Sequence, residues 1–257
     1  MIFDTHAHYD DEQFDDDREV LLNSFKEAGI EKVVNACSDM DSIKRVLKLC
    51  EDYSFIYAAI GIHPSDSGDL TEDDLKWIEE KCKDSKVLAI GEIGLDYHYP
   101  DPKKEIQIKW FKYQIEMAKR VKLPVVIHSR DAAQDTLNIL KEAKLPEGTV
   151  DIHCFSYSKE MAAEYVKLGY YLGIGGVVTF KNAKKLKEVV EATPIENILL
   201  ETDCPYLAPE PNRGKRNSSL NLPYVVKAIA ETKNMDEQEV IDKTWQNAMR
   251  FYNLEKN

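Results

Sequence analysis

No Cys-x-x-Cys pair occurs in the sequence, and its five cysteines (Cys37, Cys50, Cys82, Cys154 and Cys204) are widely spaced and odd in number. That pattern argues against a thiolate zinc site and a disulfide framework, and suits a reducing compartment. Apolar runs are only strand-length, well short of the roughly 20 residues needed to span a membrane. Met1 leads directly into a strand pattern and not into a basic segment with an apolar core, so the chain reads as cytoplasmic, with no membrane partner. Cations are scarce: 34 Lys and Arg face 46 Asp and Glu, a net charge of -12. Such a field repels nucleic acid at long range, so any chemistry on it must rest on local features such as metal ions or a basic loop. There is no Walker loop, and Gly173-Ile174-Gly175-Gly176 lacks the third glycine of a dinucleotide fingerprint. No low-complexity tract, Ser/Gly linker or composition shift divides the chain, which reads as one domain over residues 1–257.

What is present is a regular alternation of short apolar runs and amphipathic stretches. Strands are predicted at Ile2–His8, Lys32–Ala36, Phe55–Ile62, Val87–Ile93, Pro124–His128, Val150–His153, Tyr170–Ile174 and Asn197–Thr202. Helices are predicted between them at Asp16–Ala28, Asp41–Cys50, Glu72–Cys82 (with Thr71 as N-cap), Lys103–Val121, Asp131–Ala143, Lys159–Lys167, Ala183–Glu191 and Ser219–Thr232. A further helix, roughly Asp236–Tyr252, closes the chain. Eight βα units of about 30 residues predict a (β/α)8 TIM barrel with an extra C-terminal helix. A doubly wound open sheet uses the same alternation. The barrel adds a sharper expectation: functional residues at the C-terminal ends of several strands.

The histidines meet that expectation. Strand side chains repeat with period 2, so His6 and His8 project to one side of the first strand. A His-x-His pair alone is weak evidence of a metal site. His63, His128 and His153 also end predicted strands, leaving His98 as the one of six histidines in a loop. Glu92 and Asp203 end two more strands. Imidazoles mixed with carboxylates suit a borderline divalent cation better than an all-oxygen cage. The set exceeds what one ion with an open position requires, so a two-metal hydrolytic site is expected, bridged by Glu92.

Substrate signals are weaker. Arg213, Lys215 and Arg216 cluster after the last strand, where phosphates often bind in these barrels, and Arg130 follows the fifth strand. Tyr97, His98 and Tyr99 offer stacking surfaces for bases or merely cover the barrel mouth. Asp10, Asp11, Asp15, Asp16 and Asp17 read as a solvated loop and helix start. Cys154 and Cys204 each follow a proposed ligand, so strand alternation should turn their thiols away from the metals.

Asp4-Thr5-His6-Ala7-His8, Gly61-Ile62-His63-Pro64, Gly91-Glu92-Ile93-Gly94-Leu95-Asp96, the His128 segment, His153-Cys154-Phe155-Ser156, Glu201-Thr202-Asp203-Cys204-Pro205 and Arg213-Gly214-Lys215-Arg216-Asn217 together resemble, along the whole chain, the TatD family of metal-dependent deoxyribonucleases within the amidohydrolase-like barrels. That resemblance implies one ion on His6, His8, Glu92 and Asp203, and a second on Glu92, His128 and His153. It implies Mg2+ or Mn2+ for activity, with Zn2+ or Ni2+ possible in a purified protein, and 3′→5′ cleavage of DNA ends or single strands, linked to repair. In the mechanism expected, Asp203 is the general base toward the attacking water, and His63, Arg130 and Arg213 neutralise phosphoryl charge. Glu201 supports Asp203 from behind. The alternatives are an amidohydrolase or esterase acting on a small molecule or on aminoacyl-tRNA, and a non-enzymatic metal-dependent DNA-binding protein. A barrel of this size can act as a monomer.

Overall fold

The computed structural model describes residues 1–255. Its eight strands are β1 (Ile2–Ala7), β2 (Ile30–Ala36), β3 (Ile56–Ile60), β4 (Val87–Asp96), β5 (Val125–Arg130), β6 (Val150–Ile152), β7 (Tyr171–Ile174) and β8 (Ile198–Leu200). They lie in chain order in one sheet, and each neighbouring pair is parallel. A doubly wound sheet would reverse order at a switch point, so this topology excludes it. β8 meets β1 through the segment after it: Ala7 bridges Cys204, and the Asp203 N–H donates to the His6 carbonyl at 3.0 Å. Thr202 closes the same seam, its N–H donating to a carboxylate oxygen of the buried Asp4 at 3.0 Å.

The helices are α1 (Arg18–Asn23), α2 (Met40–Asp52), α3 (Glu72–Lys81), α4 (Lys104–Val121), α5 (Ala133–Ala143), α6 (Lys159–Lys167), α7 (Lys184–Ala192), α8 (Leu222–Lys233) and α9 (Glu237–Phe251). Their starts carry side-chain caps where the sequence supplies them: Asp39 for α2, Thr71 with Asp74 as a capping box for α3, Ser158 for α6 and Asp236 for α9. α1 is much shorter than its period suggests. The Ser24 hydroxyl takes the Leu21 carbonyl at 2.7 Å and the chain then loosens into turns before Gly29. β4 runs three residues longer than expected, because Gly94, Leu95 and Asp96 pair with His128, Ser129 and Arg130. Gly94 is required there: its φ is +147°, and a Cβ would sit 1.9 Å from the His128 carbonyl oxygen.

Outward strand residues such as Val33, Ile90, Ile127 and Ile152 pack under the helices in the main core. The inward set, Phe3, Val34, Ala59, Leu88, Val126, Tyr171 and Leu199, forms a second core with Ala248, Phe251 and Tyr252 of the last helix and its end. α9 thus plugs the N-terminal end of the barrel, and the Tyr252 hydroxyl donates to the Thr5 carbonyl at 2.8 Å. With that end filled by apolar side chains, the inward positions at the C-terminal rim are left for polar ones.

Candidate metal centre

β1 delivers His6 and His8. Its pairing with β2 shifts register between Asp4 and Ala7, so the strand is irregular where its ligand candidates begin. The two Nε2 atoms face each other at 3.1 Å. The Glu92 carboxylate then divides the rim. Its Oε2 lies 3.3 Å from His6 Nε2 and 3.8 Å from His8 Nε2. Its Oε1 lies 2.7 Å from His128 Nδ1, 3.8 Å from His153 Nε2 and 3.9 Å from His63 Nε2. Asp203 Oδ1 joins the first group at 3.3 Å from His8 Nε2, and is 3.6 Å from His153 Nε2. Asp203 reaches in from a left-handed backbone position, φ +56°, just past the end of β8.

The donor set fits divalent cations. Nitrogen and carboxylate oxygen atoms converge from six strands or their ends, and two imidazole nitrogens point at one another. The far nitrogens of three of these rings are anchored, as metal-ligating imidazoles usually are. His8 Nδ1 meets the Ala36 carbonyl at 3.0 Å, His128 Nε2 meets Asp96 Oδ2 at 3.0 Å, and His153 Nδ1 meets Glu201 Oε2 at 3.0 Å. His6 Nδ1 is buried without a hydrogen-bond partner.

Electrostatics says the same thing in protons. Burial opposes charge on His8, but Asp203 and Glu92 outweigh it and raise the imidazole to about 9. Burial is likewise outweighed at His128, which Asp96 and Glu92 raise to about 9, and at His153, which Glu201 and Glu92 push far upward. Against its own burial, Glu92 is held well below the usual range by His153, His6 and His128, and Asp203 is lowered by His8 and His153. In the absence of cations, protons on the imidazoles do the compensating. His63 differs. Burial and the neighbouring His128 push it down to about 3, and its Nδ1 accepts from the Ser65 N–H at 3.1 Å, so its Nε2 carries the proton.

Several expectations need correction. Glu201 reaches His153 and the Cys154 N–H (2.7 Å), and so stands behind His153 instead of Asp203. Room for it comes from Gly173, where a Cβ would lie 2.2 Å from Glu201 Oε2. Cys154 is not turned away. β6 ends at Ile152, Cys154 takes φ +46°, and its thiol forms a cluster with His153 and Asp203. Cys204 does stay in the core. Asp10 is not part of a solvated loop but buried, accepting from Asn35 Nδ2 at 2.8 Å and Ser42 Oγ at 2.7 Å. Of the cations after β8, Arg216 is committed to Asp17 at 2.6 Å, while Arg213 lies over the Phe180 ring at 4.1 Å and 4.0 Å from Glu210.

The cavity over these atoms has a volume of about 630 Å³. Arg130 and His63 are on its wall as expected, and so are Arg45, Ser38 and Tyr206, which sequence reasoning passed over; Arg213 is outside it. Asp96 was also missed as the anchor of His128. Its place three residues beyond the end of the predicted strand hid it, whereas the continuing Gly94-Leu95-Asp96 run held the signal. Tyr97 is spent on packing, its ring under Lys104 and its hydroxyl on Asp135 at 2.8 Å, while Tyr99 is exposed.

A parallel barrel that gathers imidazoles and carboxylates on its C-terminal rim defines a class, the metal-dependent hydrolases. Residues 3–253 match the model of the family described as TatD related DNase. YabD of Bacillus subtilis, described as an uncharacterised metal-dependent hydrolase, is 48% identical over 99% of this chain and 100% of its own length. A Mycobacterium tuberculosis protein with the same description, TatD, is 36% identical over 91% of this chain and 90% of its own. Among solved structures, the TatD homologue YjjV of Escherichia coli superposes with a TM-score of 0.92 at 33% identity, covering 98% of both chains. The chain belongs to the TatD family and is a metal-dependent hydrolase. Among the described residues, no helix is long and apolar enough to cross a membrane.

Proposed function

We propose that residues 1–257 work as one monomeric catalytic domain, a deoxyribonuclease that hydrolyses DNA phosphodiesters from 3′ ends or single strands. The observation that carries this reading is the division of Glu92, with Oε2 toward His6 and His8 and Oε1 toward His128 and His153. A carboxylate so divided suits two ions: His6, His8, Glu92 and Asp203 would hold one, and Glu92, His128 and His153 the other. Divalent ions there, Mg2+ or Mn2+ for activity and Zn2+ or Ni2+ as passengers in a purified sample, would polarise phosphoryl oxygens and acidify water.

The remaining steps belong to the chain's own groups. Asp203, kept ionised by His8 and His153 and partly open to the cavity, takes the proton from the attacking water. His63 Nε2–H, fixed by its Nδ1 contact with Ser65, is a neutral donor to a phosphoryl oxygen. Arg130 supplies charge-assisted donors from the cavity wall. Asp96 and Glu201 hold the rings of His128 and His153 in place. Arg213 has no part in this scheme, since it lies off the cavity wall.

The test is cleavage of a labelled single strand with Mg2+ or Mn2+, before and after EDTA. Asp203→Ala should lower kcat by about 10²–10⁴-fold, the range for loss of a general base, and Glu92→Ala by at least as much. Near wild-type rates in either variant overturn the scheme. Turnover of small esters or amides with no cleavage of nucleic acid would move the chain to the amidohydrolase or esterase reading.

A further inference from the structure

The cavity of an acidic protein that handles a polyanion has to supply cations locally, and the fold takes them from an unexpected place. Arg213, Lys215 and Arg216 are absent from the cavity wall, whereas Arg45 and Arg130 are on it. Arg45 belongs to α2, which follows β2, and Arg130 ends β5. Three strands apart in an eight-stranded ring, they flank the proposed metal centre from well-separated sides.

Arg45 is tethered to a built site. Its Nη2 lies 3.4 Å from Oδ2 of Asp10, a long contact, and 54% of its side chain is exposed. Asp10 does not depend on it, because Asn35 and Ser42 already satisfy both carboxylate oxygens at 2.8 and 2.7 Å. Asn35 is fixed in turn by the Tyr9 N–H, 2.6 Å from its Oδ1. A guanidinium has five donors, and only one of these meets Asp10. The rest stay available on the wall, and the Asp10 that tethers them stands two residues beyond His8, a proposed ligand. A cation serving only to neutralise Asp10 would sit closer and be covered. A planar fork held loosely by its edge is suited to taking an anion from the cavity.

Resting on the phosphodiester reading above, we propose that Arg45 and Arg130 each grip a phosphate of the strand other than the one being cleaved, so that the substrate is a strand with at least three consecutive phosphodiesters. Arg45 is then a specificity residue for strand length, while the bond-breaking groups remain on the rim.

The experiment compares kcat and KM with Mn2+ for a dinucleotide, which has one phosphodiester, and a tetranucleotide, which has three, in wild type, Arg45→Ala and Arg45→Lys, across a range of salt. The wild type should show a KM for the tetranucleotide lower by about ten-fold or more, the size of one charge-assisted hydrogen bond. Arg45→Ala should lose most of that gain, keep kcat within about two-fold for the tetranucleotide, and reduce the slope of log(kcat/KM) against log salt by about 0.7, as for one lost single-strand phosphate contact. Arg45→Lys should restore the salt slope, a recovery that a purely structural role would not produce. If Arg45→Ala matches the wild type in tetranucleotide KM and salt slope, or if Arg45→Lys fails to restore the slope, this inference is wrong while the nuclease reading stands. If the wild type cleaves neither oligonucleotide, both fall.

Discussion

At the lower end of the barrel Phe3 and Tyr171 meet Phe251 and Tyr252, with the rings of Phe3 and Tyr252 stacked at 5.6 Å. At the upper end the same alternation of inward positions carries His6, Glu92, His128, His153 and Glu201. Every buried ring at the bottom adds dispersion and apolar burial. At the top, several buried ionisable groups stand within hydrogen-bonding distance of one another, an arrangement that cations or protons must hold together. Two non-glycine residues there, Cys154 and Asp203, also have φ near +50° (46° and 56°). One end carries stability and the other carries function at some cost to stability.

That contrast can be broken from either side. The largest effect is expected at the plug. Phe251→Ala should cost about 3–5 kcal/mol, as large-to-small core changes do, and lower Tm by very roughly 6–20 °C for a chain of this size. Mn2+ affinity measured by calorimetry on the folded variant should be unchanged; a weakened affinity would mean that the two ends are coupled.

Next is Asp96→Asn at the rim. Loss of the carboxylate that holds His128 should weaken divalent-metal binding about 10–100-fold, and, because the same carboxylate raises His128 in the metal-free protein, should lower the Tm of that form as well. Equal metal affinity in the variant would remove Asp96 from the support of the centre.

The smallest effect sharpens the boundary between the ends. Asp151 faces inward directly before His153 in the alternation, is fully buried, and neither of its carboxylate oxygens has a hydrogen-bond partner. Burial first, and then Glu201, push its carboxyl far above the ordinary 3.8. The folded state therefore holds a proton that the unfolded chain releases above about pH 4, and stability drains away through this group as pH rises. Asp151→Val should add about 1–3 kcal/mol, the usual penalty of an unsatisfied buried group. The gain in Tm should be larger at pH 8 than at pH 5. A Tm that falls, or a gain independent of pH, would show that Asp151 is paired in solution.

Much of this was legible in the chain. The alternation of periods located all eight strands and nine α-helices found among the described residues, because each must bury one face and so repeats its apolar residues at its own spacing. Strand ends named His6, His8, Glu92, His128, His153 and Asp203, all of which fall in the clusters on the rim, but not Cys154, which joins one of them. What failed depended on directions that period cannot supply. Cys154 was assigned outward by alternation, yet β6 had already ended. Asp10 resembled its solvated neighbours, and only the tertiary approach of Asn35 on β2 and of Ser42 and Arg45 on α2 gave it partners. The Arg213 cluster looked like a phosphate site because of its place after β8, but Phe180 and Asp17 claim two of its three cations.

By itself, the sequence determined the barrel, the family and the residues able to hold metal, since these follow from hydrophobic period and from side-chain chemistry at strand ends. Only the tertiary structure decided which oxygen of Glu92 faces which imidazole, that Asp96 and Glu201 anchor His128 and His153, and that Arg45 takes a place on the cavity wall. Those are contacts between segments far apart in the chain, set by how strands close into a ring and how the following helices pack on it, and no local pattern of residues encodes them.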